Sequence, residues 1–389
     1  MTRTTSKSKQ KGVEGSDLDL RVVDTVEGFQ SLQDDWNALA QRSAAPHQLF
    51  QDFGFLRHWV SHYLGARHRL QIIVAYRGTN IVAILPLVRQ RWLGLDTLRF
   101  MGIPVARFSD LLIDADAGEP VVQALRAKIG ALRADIIDAP LVRQDSAFVR
   151  VGFDQDAAVL SRLDAPFCVL ADRIGDDGPG PAYSAKIRSN YRRRVRNLAG
   201  PGELLMRQYQ AGPEAAGLAH AAVVMKKAWL EREKIGAPTL FDPRFEAFFA
   251  RMAGDQEALA SINVSTLERD ERPIGIDLSF DHKGHCFGHV IATDACAEKD
   301  GAGSVLVHHV FATAKARGNT VFELLTPASE HKMRHADGVT KVRDLVIPLS
   351  VKGRIACQAL LVHGLPAAKS LLRRFPASLT RAIASRTGY

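Results

Sequence analysis

The spacing of apolar residues divides the first half of the chain into alternating strand and helix segments. Residues 18–23 alternate apolar and polar positions, as a half-buried strand does. Apolar residues at helical spacing then predict helices over residues 26–42 and 51–64. Two apolar runs follow, at residues 70–76 and 81–87, and the turn-type sequence between them predicts that they pair as antiparallel strands.

The second half repeats this order of elements. Residues 172–181 are rich in Gly, Pro and Asp, which is typical of a linker. The pattern beyond them predicts, in order, a helix at 184–199, a strand at 203–209, helices at 213–234 and 243–254, strands at 260–269, 273–280 and 285–293, a helix at 303–317, a strand at 321–325 and a helix opening at about Pro327. The repeat predicts a duplicated α/β (α+β) fold with a mixed, mostly antiparallel sheet in each half.

The composition fits this two-domain reading. The 389 residues are 46% hydrophobic and 24% charged, as in an ordinary soluble protein, and contain no apolar stretch long enough for a bilayer span. Residues 1–16 are basic without the apolar region of a signal peptide, so we expect a cytoplasmic protein. The expected domains are a disordered tail (1–16), an N-terminal domain (17–171), a linker (172–183), a C-terminal domain (184–350) and a basic helical extension (351–389).

The net charge of +9 is concentrated in three segments rather than spread over the surface. Residues 1–16 contribute +3, residues 186–196 contribute +6 and residues 350–389 contribute +7, which leaves −7 for the remainder. This distribution argues against a DNA-binding surface. It leaves residues 186–196 as the basic segment best placed to meet a substrate.

Neither the cysteines nor the histidines predict a metal site. The four cysteines form no CxxC pair, and the histidine clusters at 282–289 and 331–335 lack the further ligands of a tetrahedral site. We therefore expect reduced thiols and no metal.

The most informative segment joins the strand at 285–293 to the helix at 303–317. Gly301 and Gly303 lie in this connection, and Ser304 follows at once. Glycines let a ligand approach the backbone, and the free N–H groups at a helix start favour a pyrophosphate. The next strand, 321–325, leads into a group of titratable residues at Glu330, His331 and Lys332, where open α/β sheets bind ligands. By itself, the glycine pair is also compatible with a simple turn.

Several short motifs, in this order and spacing, resemble a known family. They are Trp36, Leu49-Phe50-Gln51 with Trp59, the run 81–87, residues 98–102 with Ser109-Asp110, residues 186–193, Thr293-Asp294 with Gly301 to Gly303, and residues 322–332. Together they resemble the GNAT acyltransferases of polysaccharide biosynthesis clusters (the CelD-like group), which are related to the Fem peptidyltransferases that use aminoacyl-tRNA. The resemblance covers residues 20–350.

This resemblance implies tandem GNAT-like domains, with acetyl-CoA as co-substrate held by the second. The implied cofactor-binding residues are the strand edge Ile291, Ala292 and Thr293 and the loop Gly301, Ala302, Gly303 and Ser304. Two positions depart from the family pattern. His331 stands where the family has a tyrosine, and Asp300 adds a negative charge beside the phosphate loop.

Acetyl transfer to an amine needs a base, and the residues offer several. A carboxylate with a raised pKa or a histidine suits the role near neutral pH. The catalytic candidates are Glu330, Asp294, His331 and Glu323, with His289 as a further possibility, and Glu330 and Asp294 rank first.

The arginine run supplies a candidate acceptor site. On a helix, Arg188, Arg192 and Arg196 share one face, and guanidinium groups suit phosphates. We assign Lys186, Arg188, Arg192, Arg196 and Lys332 to substrate binding. A solvated basic face remains an equally good interpretation, and a cyclic dinucleotide regulator is a minor one.

The leading hypothesis is an N-acetyltransferase that modifies an amino-sugar unit of an exopolysaccharide or adhesin precursor. The acceptor is expected to be a nucleotide- or lipid-linked glycan, with peripheral association at the inner membrane face as an option. The alternatives are Fem-like aminoacyl transfer from charged tRNA, and a catalytically inactive ligand-sensing or scaffold subunit.

Overall fold

The computed structural model describes residues 18–176, 178–256 and 262–358. The predicted tail at residues 1–16 lies outside these ranges, as does most of the predicted extension at 351–389.

The first half contains the predicted succession of a strand, helices, antiparallel strands, a helix and further strands. Its helices are α1 (Val26–Ser31), α2 (Gln33–Ser43), the 3-10 helix η1 (Pro46–Gln51), α3 (Phe53–Tyr63), α4 (Gly118–Ala131) and α5 (Ala147–Arg150). Its strands are β1 (Leu18–Val23), β2 (Arg69–Leu70), β3 (Ile72–Arg77), β4 (Asn80–Leu85), β5 (Leu87–Trp92), β6 (Leu95–Phe100), β7 (Leu112–Ile113), β8 (Ile136–Arg143) and β9 (Ala158–Val169). The predicted helix at 26–42 is divided in two at Leu32.

The predicted linker contains a short hairpin, and the second half repeats the succession. The linker strands are β10 (Ile174–Gly175) and β11 (Gly178–Pro179). The second half then contains, in chain order, α6 (Ala185–Ala199), β12 (Leu204–Tyr209), α7 (Pro213–Arg232), α8 (Pro238–Phe241), α9 (Pro243–Gly254), β13 (Ile262–Arg269), β14 (Arg272–His282), β15 (His285–Thr293), α10 (Ala295–Glu298), α11 (Ala302–Ala316), β16 (Val321–Glu323), α12 (Glu330–Met333), β17 (Gly338–Pro348) and α13 (Val351–Ala356). The helix expected from Pro327 begins three residues later, because Ser329 caps it by accepting from the Lys332 amide.

Each half contains one pair of parallel strands joined by a crossover helix. In the first half β6 and β8 are parallel and α4 connects them, while in the second half β15 and β16 are parallel and α11 connects them. This is the repeat that the order of elements predicts, and each half has the mixed sheet flanked by helices that was expected.

The two halves exchange their last strands and so share one large sheet. β9, from the first half, pairs with β16 of the second, and β17, from the second half, pairs with β8 of the first. β9 and β17 also pair with each other. The result is an 11-stranded sheet in the order β12-β13-β14-β15-β16-β9-β17-β8-β6-β5-β2, beside a 4-stranded sheet β1-β3-β4-β7.

The largest apolar core also crosses between the halves. Phe55 of α3 contacts Phe248 of α9 at 5.3 Å and Phe280 of β14 at 6.0 Å between ring centroids. Phe50 of η1 likewise contacts Phe287 of β15 at 5.9 Å. Aromatic packing of this kind buries a large apolar area, so the first half fixes the position of β15.

Candidate functional site

The candidate site lies where β15 and β16 separate. The two strands pair over only three residues, ending at Phe287 opposite Glu323. At Gly288, a Cβ atom would lie 2.7 Å from the Phe322 ring, so only glycine permits this close approach. From there β15 continues to Thr293 with β14 on one side, and no described strand covers its other edge. The edge of residues 288–293 is therefore open to a ligand at the carboxyl ends of two parallel strands.

The predicted cofactor residues converge on this opening. Ile291, Ala292 and Thr293 lie on the open stretch of β15. Gly301 has φ of 84° and precedes α11, so its left-handed conformation starts the helix. The N–H groups of Ala302 and Gly303, as the first two residues of α11, have no intrahelical acceptor and can bind an anion. The strand edge and the phosphate loop are therefore adjacent in the fold.

One arginine of the basic helix lies against this loop. Arg194 packs over Gly301, where a Cβ atom would be only 2.6 Å from the arginine Cδ and Nε atoms. Of the predicted acceptor residues, Arg188 donates a hydrogen bond to the Tyr183 carbonyl at the helix start. The remaining predicted members of this helix are exposed: Lys186, Arg192 and Arg196. The arginine that lies against the loop, Arg194, is therefore not one of the three that share the predicted i, i+4 face.

The two carboxylates that ranked first have other partners. Asp294 caps α10, and its side chain accepts from the Cys296 amide at 2.7 Å. Glu330 is 85% exposed at its side chain and pairs with Arg334 at 2.6 Å. An exposed carboxylate that is already paired with an arginine is poorly placed to act as a general base in a cleft.

Glu323 is buried at the point where the strands separate. Its Oε1 atom lies 3.5 Å from an Arg143 guanidinium nitrogen and 3.2 Å from His285 Nδ1. The other oxygen, Oε2, has no hydrogen-bond partner among the described residues. These contacts link β16, β15 and β8, and they make Glu323 a buried connection between the two halves.

Of the remaining predicted residues, Lys332 is held at the site and His331 faces outward. The Lys332 ammonium donates to the carbonyls of Leu325 at 2.9 Å and Pro327 at 3.0 Å, directly after β16. Burial and, to a smaller extent, the charges of Arg107 and Lys226 together lower the pKa of Lys332 to about 8. The His331 side chain is exposed.

His289 is the residue whose surroundings best suit it to accept a hydrogen bond. It is the extra residue of a β-bulge, because Val290 pairs with Leu278 while Gly288 pairs with Ser279. Its Nε2 atom donates to the Val105 carbonyl at 2.7 Å, which leaves Nδ1 unprotonated. Nδ1 is buried without a hydrogen-bond partner in the described part of the chain.

An aromatic enclosure keeps this imidazole neutral. Four phenylalanine rings surround His289 at centroid distances of 4.8 to 6.4 Å: Phe249, Phe280, Phe245 and Phe50. Burial lowers the pKa of His289 well below its usual value, and the charge of Arg107 acts in the same direction. The sequence offered His289 among several bases, but the bulge and the enclosure are visible only in the fold.

The structure also has two surface cavities that do not include the strand opening. They measure about 360 and 350 Å³, and neither is lined by a residue of β16 or of the edge 288–293. Within residues 18–176, 178–256 and 262–358, no group of three His, Cys, Asp or Glu side chains is arranged to hold a metal ion. No described helix is long and apolar enough to cross a membrane.

Comparison with solved structures shows a shared fold across most of the chain. FemX has a TM-score of 0.57 at 9% identity, covering 85% of this chain and 98% of that one. The C-terminal domain (DUF2156) of a putative lysylphosphatidylglycerol synthetase from Agrobacterium fabrum has a TM-score of 0.51 at 14% identity, covering 86% and 95%. A conserved protein of unknown function from Bacteroides thetaiotaomicron has a TM-score of 0.52 at 9% identity, covering 85% and 100%.

The sequence comparison is confined to the half that holds the site. No curated protein matches the chain in sequence. Residues 185–333, which include the phosphate loop, the strand opening and Lys332, match the family described as an acetyltransferase (GNAT) domain. Residues 185–333 are therefore similar to a GNAT acetyltransferase domain, and this match supports an acyltransferase.

Proposed function

We propose that this protein transfers an acetyl group from acetyl-CoA to the amine of an amino-sugar unit in an exopolysaccharide or adhesin precursor. The observation that carries the proposal is the open edge of residues 288–293 beside the start of α11. A pantetheine arm fits an uncovered strand edge, and a pyrophosphate fits the free N–H groups of Ala302 and Gly303. Arg194, against Gly301, adds a positive charge to that end of the cleft.

The residues at the strand opening suit attack by an amine on a thioester. The uncharged amine forms the new C–N bond and gives up one N–H proton, the C–S bond breaks, and the sulfur leaves as the CoA thiolate, which takes up that proton. His289 Nδ1 is a buried acceptor and orients the amine hydrogen. Lys332, held at the end of β16, supplies a positive charge for the oxygen that becomes negative in the tetrahedral intermediate.

The fold comparison supports a second candidate function. The likeness to FemX and to the putative lysylphosphatidylglycerol synthetase domain is a likeness of fold at low identity. The relationship to Fem peptidyltransferases nevertheless makes aminoacyl transfer from charged tRNA the alternative reaction. The exposed arginines of α6, Arg192 and Arg196, would serve a polyanionic donor as well as a glycan phosphate.

Release of free CoA from acetyl-CoA in the presence of deacetylated glucosamine oligomers tests the proposal directly. We expect turnover that needs both substrates and an N-acetylated product detectable by mass spectrometry. Turnover only with charged tRNA would favour the aminoacyl transferase. Failure with every acceptor, together with tight binding of a cyclic dinucleotide in isothermal titration, would favour the ligand-sensing subunit.

A further inference from the structure

The loop between β6 and β7 is anchored at several points and reaches the strand opening. The Ile103 carbonyl accepts from Trp59 Nε1 at 2.9 Å, and the Phe108 carbonyl accepts from Gln51 Nε2 at 2.9 Å. The Val105 carbonyl is the acceptor for His289 described above. A loop fixed at both ends and in the middle presents its side chains in fixed positions.

Arg107 is a charged side chain of this loop, close in sequence to Val105, that has no partner among the described residues. Its guanidinium makes no hydrogen bond or ion pair with any other residue in the described ranges, although the side chain is half-buried. Burial lowers the pKa of Arg107 to about 10, so the group is still charged at neutral pH. Removing a charge from water is costly unless it is paired, and a planar guanidinium left unpaired is suited to binding an oxyanion.

Two lysines extend this positive region toward the reaction centre. The charges of Arg107 and Lys226 both lower the pKa of Lys332, so each of these two cations lies within electrostatic reach of Lys332. Lys226, on α7, sits over the Trp229 ring at 4.1 Å from its centroid. The cations thus come from the first-half loop, from α7 and from α12.

Glu298 is the acidic residue whose charge acts on Lys226, but it does not neutralise the positive charge there. Glu298 raises the pKa of Lys226, against a larger lowering by burial. Its own carboxylate is engaged by Arg232 at 2.5 Å. The Arg107 region therefore keeps an excess of positive charge on the first-half side of the strand opening.

We propose that Arg107 forms a phosphate-binding subsite for the acceptor, made by other residues than the phosphate loop at Gly301. This inference rests on the proposed function and narrows it. The acceptor is a phosphate-bearing amino sugar, and a nucleotide diphosphate and a lipid diphosphate share the group that Arg107 binds. The site differs from the face of α6 that carries Arg192 and Arg196, which is exposed to solvent.

The kinetic test compares two acceptors that differ in phosphate. For UDP-glucosamine, we expect Arg107→Met to lower kcat/KM roughly 10- to 100-fold, as for loss of a charged hydrogen bond. For phosphate-free glucosamine oligomers and for acetyl-CoA, the same variant should change kcat/KM by less than about 2-fold. Arg107→Lys should restore part of the loss, because a single ammonium cannot bind two oxygens side by side. Arg91→Met, at an exposed arginine of β5 that has no role in the site, is the matched control and should leave all three values unchanged.

A binding measurement separates the subsite from the reaction. Inorganic pyrophosphate is titrated into wild type and Arg107→Met by calorimetry, with and without saturating CoA. We expect wild type to bind pyrophosphate in the presence of CoA and the variant to lose that binding. A parallel titration with vesicles containing undecaprenyl phosphate distinguishes a lipid-linked phosphate from a nucleotide-linked one.

Each contrary result has a defined meaning. Pyrophosphate that fails to bind, or that is displaced by CoA, would overturn the subsite, as would an equal loss with both acceptors. Binding that depends on Arg107, but without acetylation of any amino sugar, would refute the proposed function and leave the subsite standing.

Discussion

At the scale of single residues, contacts separate groups that are chemically alike. His289 and His331 are both imidazoles near the strand opening, but one donates to the Val105 carbonyl inside a phenylalanine enclosure and the other is exposed. Glu323 and Glu330 differ in the same way, because the first is buried against Arg143 and the second faces solvent. The role that each group can take therefore depends on its contacts and burial rather than on its residue type.

Replacing His289 tests its role as an acceptor. His289→Phe keeps the ring within its aromatic enclosure but removes Nδ1, so we expect kcat to fall roughly 100-fold while acetyl-CoA binding persists. His308→Phe is the matched control, because His308 is also buried with an unpartnered Nδ1 but lies on α11. Steady-state kinetics and calorimetric binding of CoA measure both effects. Equal losses in the two variants would show that His289 serves packing alone.

The pKa of Lys332 predicts a dependence of turnover on pH. Its folded-state pKa of about 8 lies below the ordinary lysine value, so the charge is present below pH 8 and is lost as the pH rises through that value. If this charge stabilises the oxyanion, kcat falls on that alkaline side. Lys332→Arg keeps the charge and should abolish the alkaline decline in the pH profile of kcat.

The neighbouring Glu330 provides the control for this measurement. Glu330→Gln removes only an exposed ion pair with Arg334, so we expect turnover within about 2-fold of wild type and the same pH profile. An alkaline decline that survives in Lys332→Arg would assign it to another group. Loss of turnover in Glu330→Gln would restore the carboxylate as the base.

At the scale of elements, the start of α11 depends on one backbone conformation. Gly301 is left-handed and lies against Arg194, so Gly301→Ala both strains the backbone and displaces the arginine. We expect the KM for acetyl-CoA to rise roughly 10-fold, equivalent to about 1.4 kcal/mol. Kinetics at fixed acceptor concentration measures it.

Gly318 is the matched control for this element. It has φ of 91° at the other end of α11, and a Cβ atom there meets nothing within 4 Å. Gly318→Ala should therefore destabilise the fold by about 1–2 kcal/mol, as a left-handed alanine does, without changing the KM. A similar KM change in both variants would attribute the effect to backbone strain alone.

Irregular pairing explains why some elements escaped the sequence pattern. β17 was not predicted, because its register shifts next to Leu345 against both of its neighbours and this interrupts the alternation of apolar and polar residues. The bulge at His289 also interrupts the pairing of β15, yet that strand was predicted with its observed bounds, 285–293. Regular amphipathic helices such as α6 and α9 were predicted to within one or two residues at each end.

At the scale of the whole molecule, the hairpin turn between β14 and β15 fastens the second half to the first. Lys283 donates to the carbonyls of Ala40 at 2.8 Å, Gln41 at 3.0 Å and Ala44 at 2.7 Å, at the end of α2. A cation at a helix C-terminus is favourable because of the helix dipole. The turn therefore holds the first half against the strand that carries His289.

Removing this contact should lower stability without removing catalytic groups. Lys283→Met is expected to reduce the free energy of unfolding by about 1–2 kcal/mol. Lys299→Met, at an exposed position, should leave it unchanged. Chemical denaturation measures both, and because the halves share a sheet and a core, we expect one cooperative transition. Two separate transitions would contradict this coupling.

The sequence by itself determined the order of elements, the repeat and the glycine loop, because these depend on local periodicity and on residues that only a turn or a helix start requires. It also predicted the loop and the strand edge that lie together at the opening. Which side chains meet at the opening depends on the fold, not on any local sequence pattern. Arg107, Lys226, His289 and Lys332 are far apart in the chain, and strand exchange, a β-bulge and packing between the halves bring them together. Such contacts join residues of large sequence separation, so no local pattern records them.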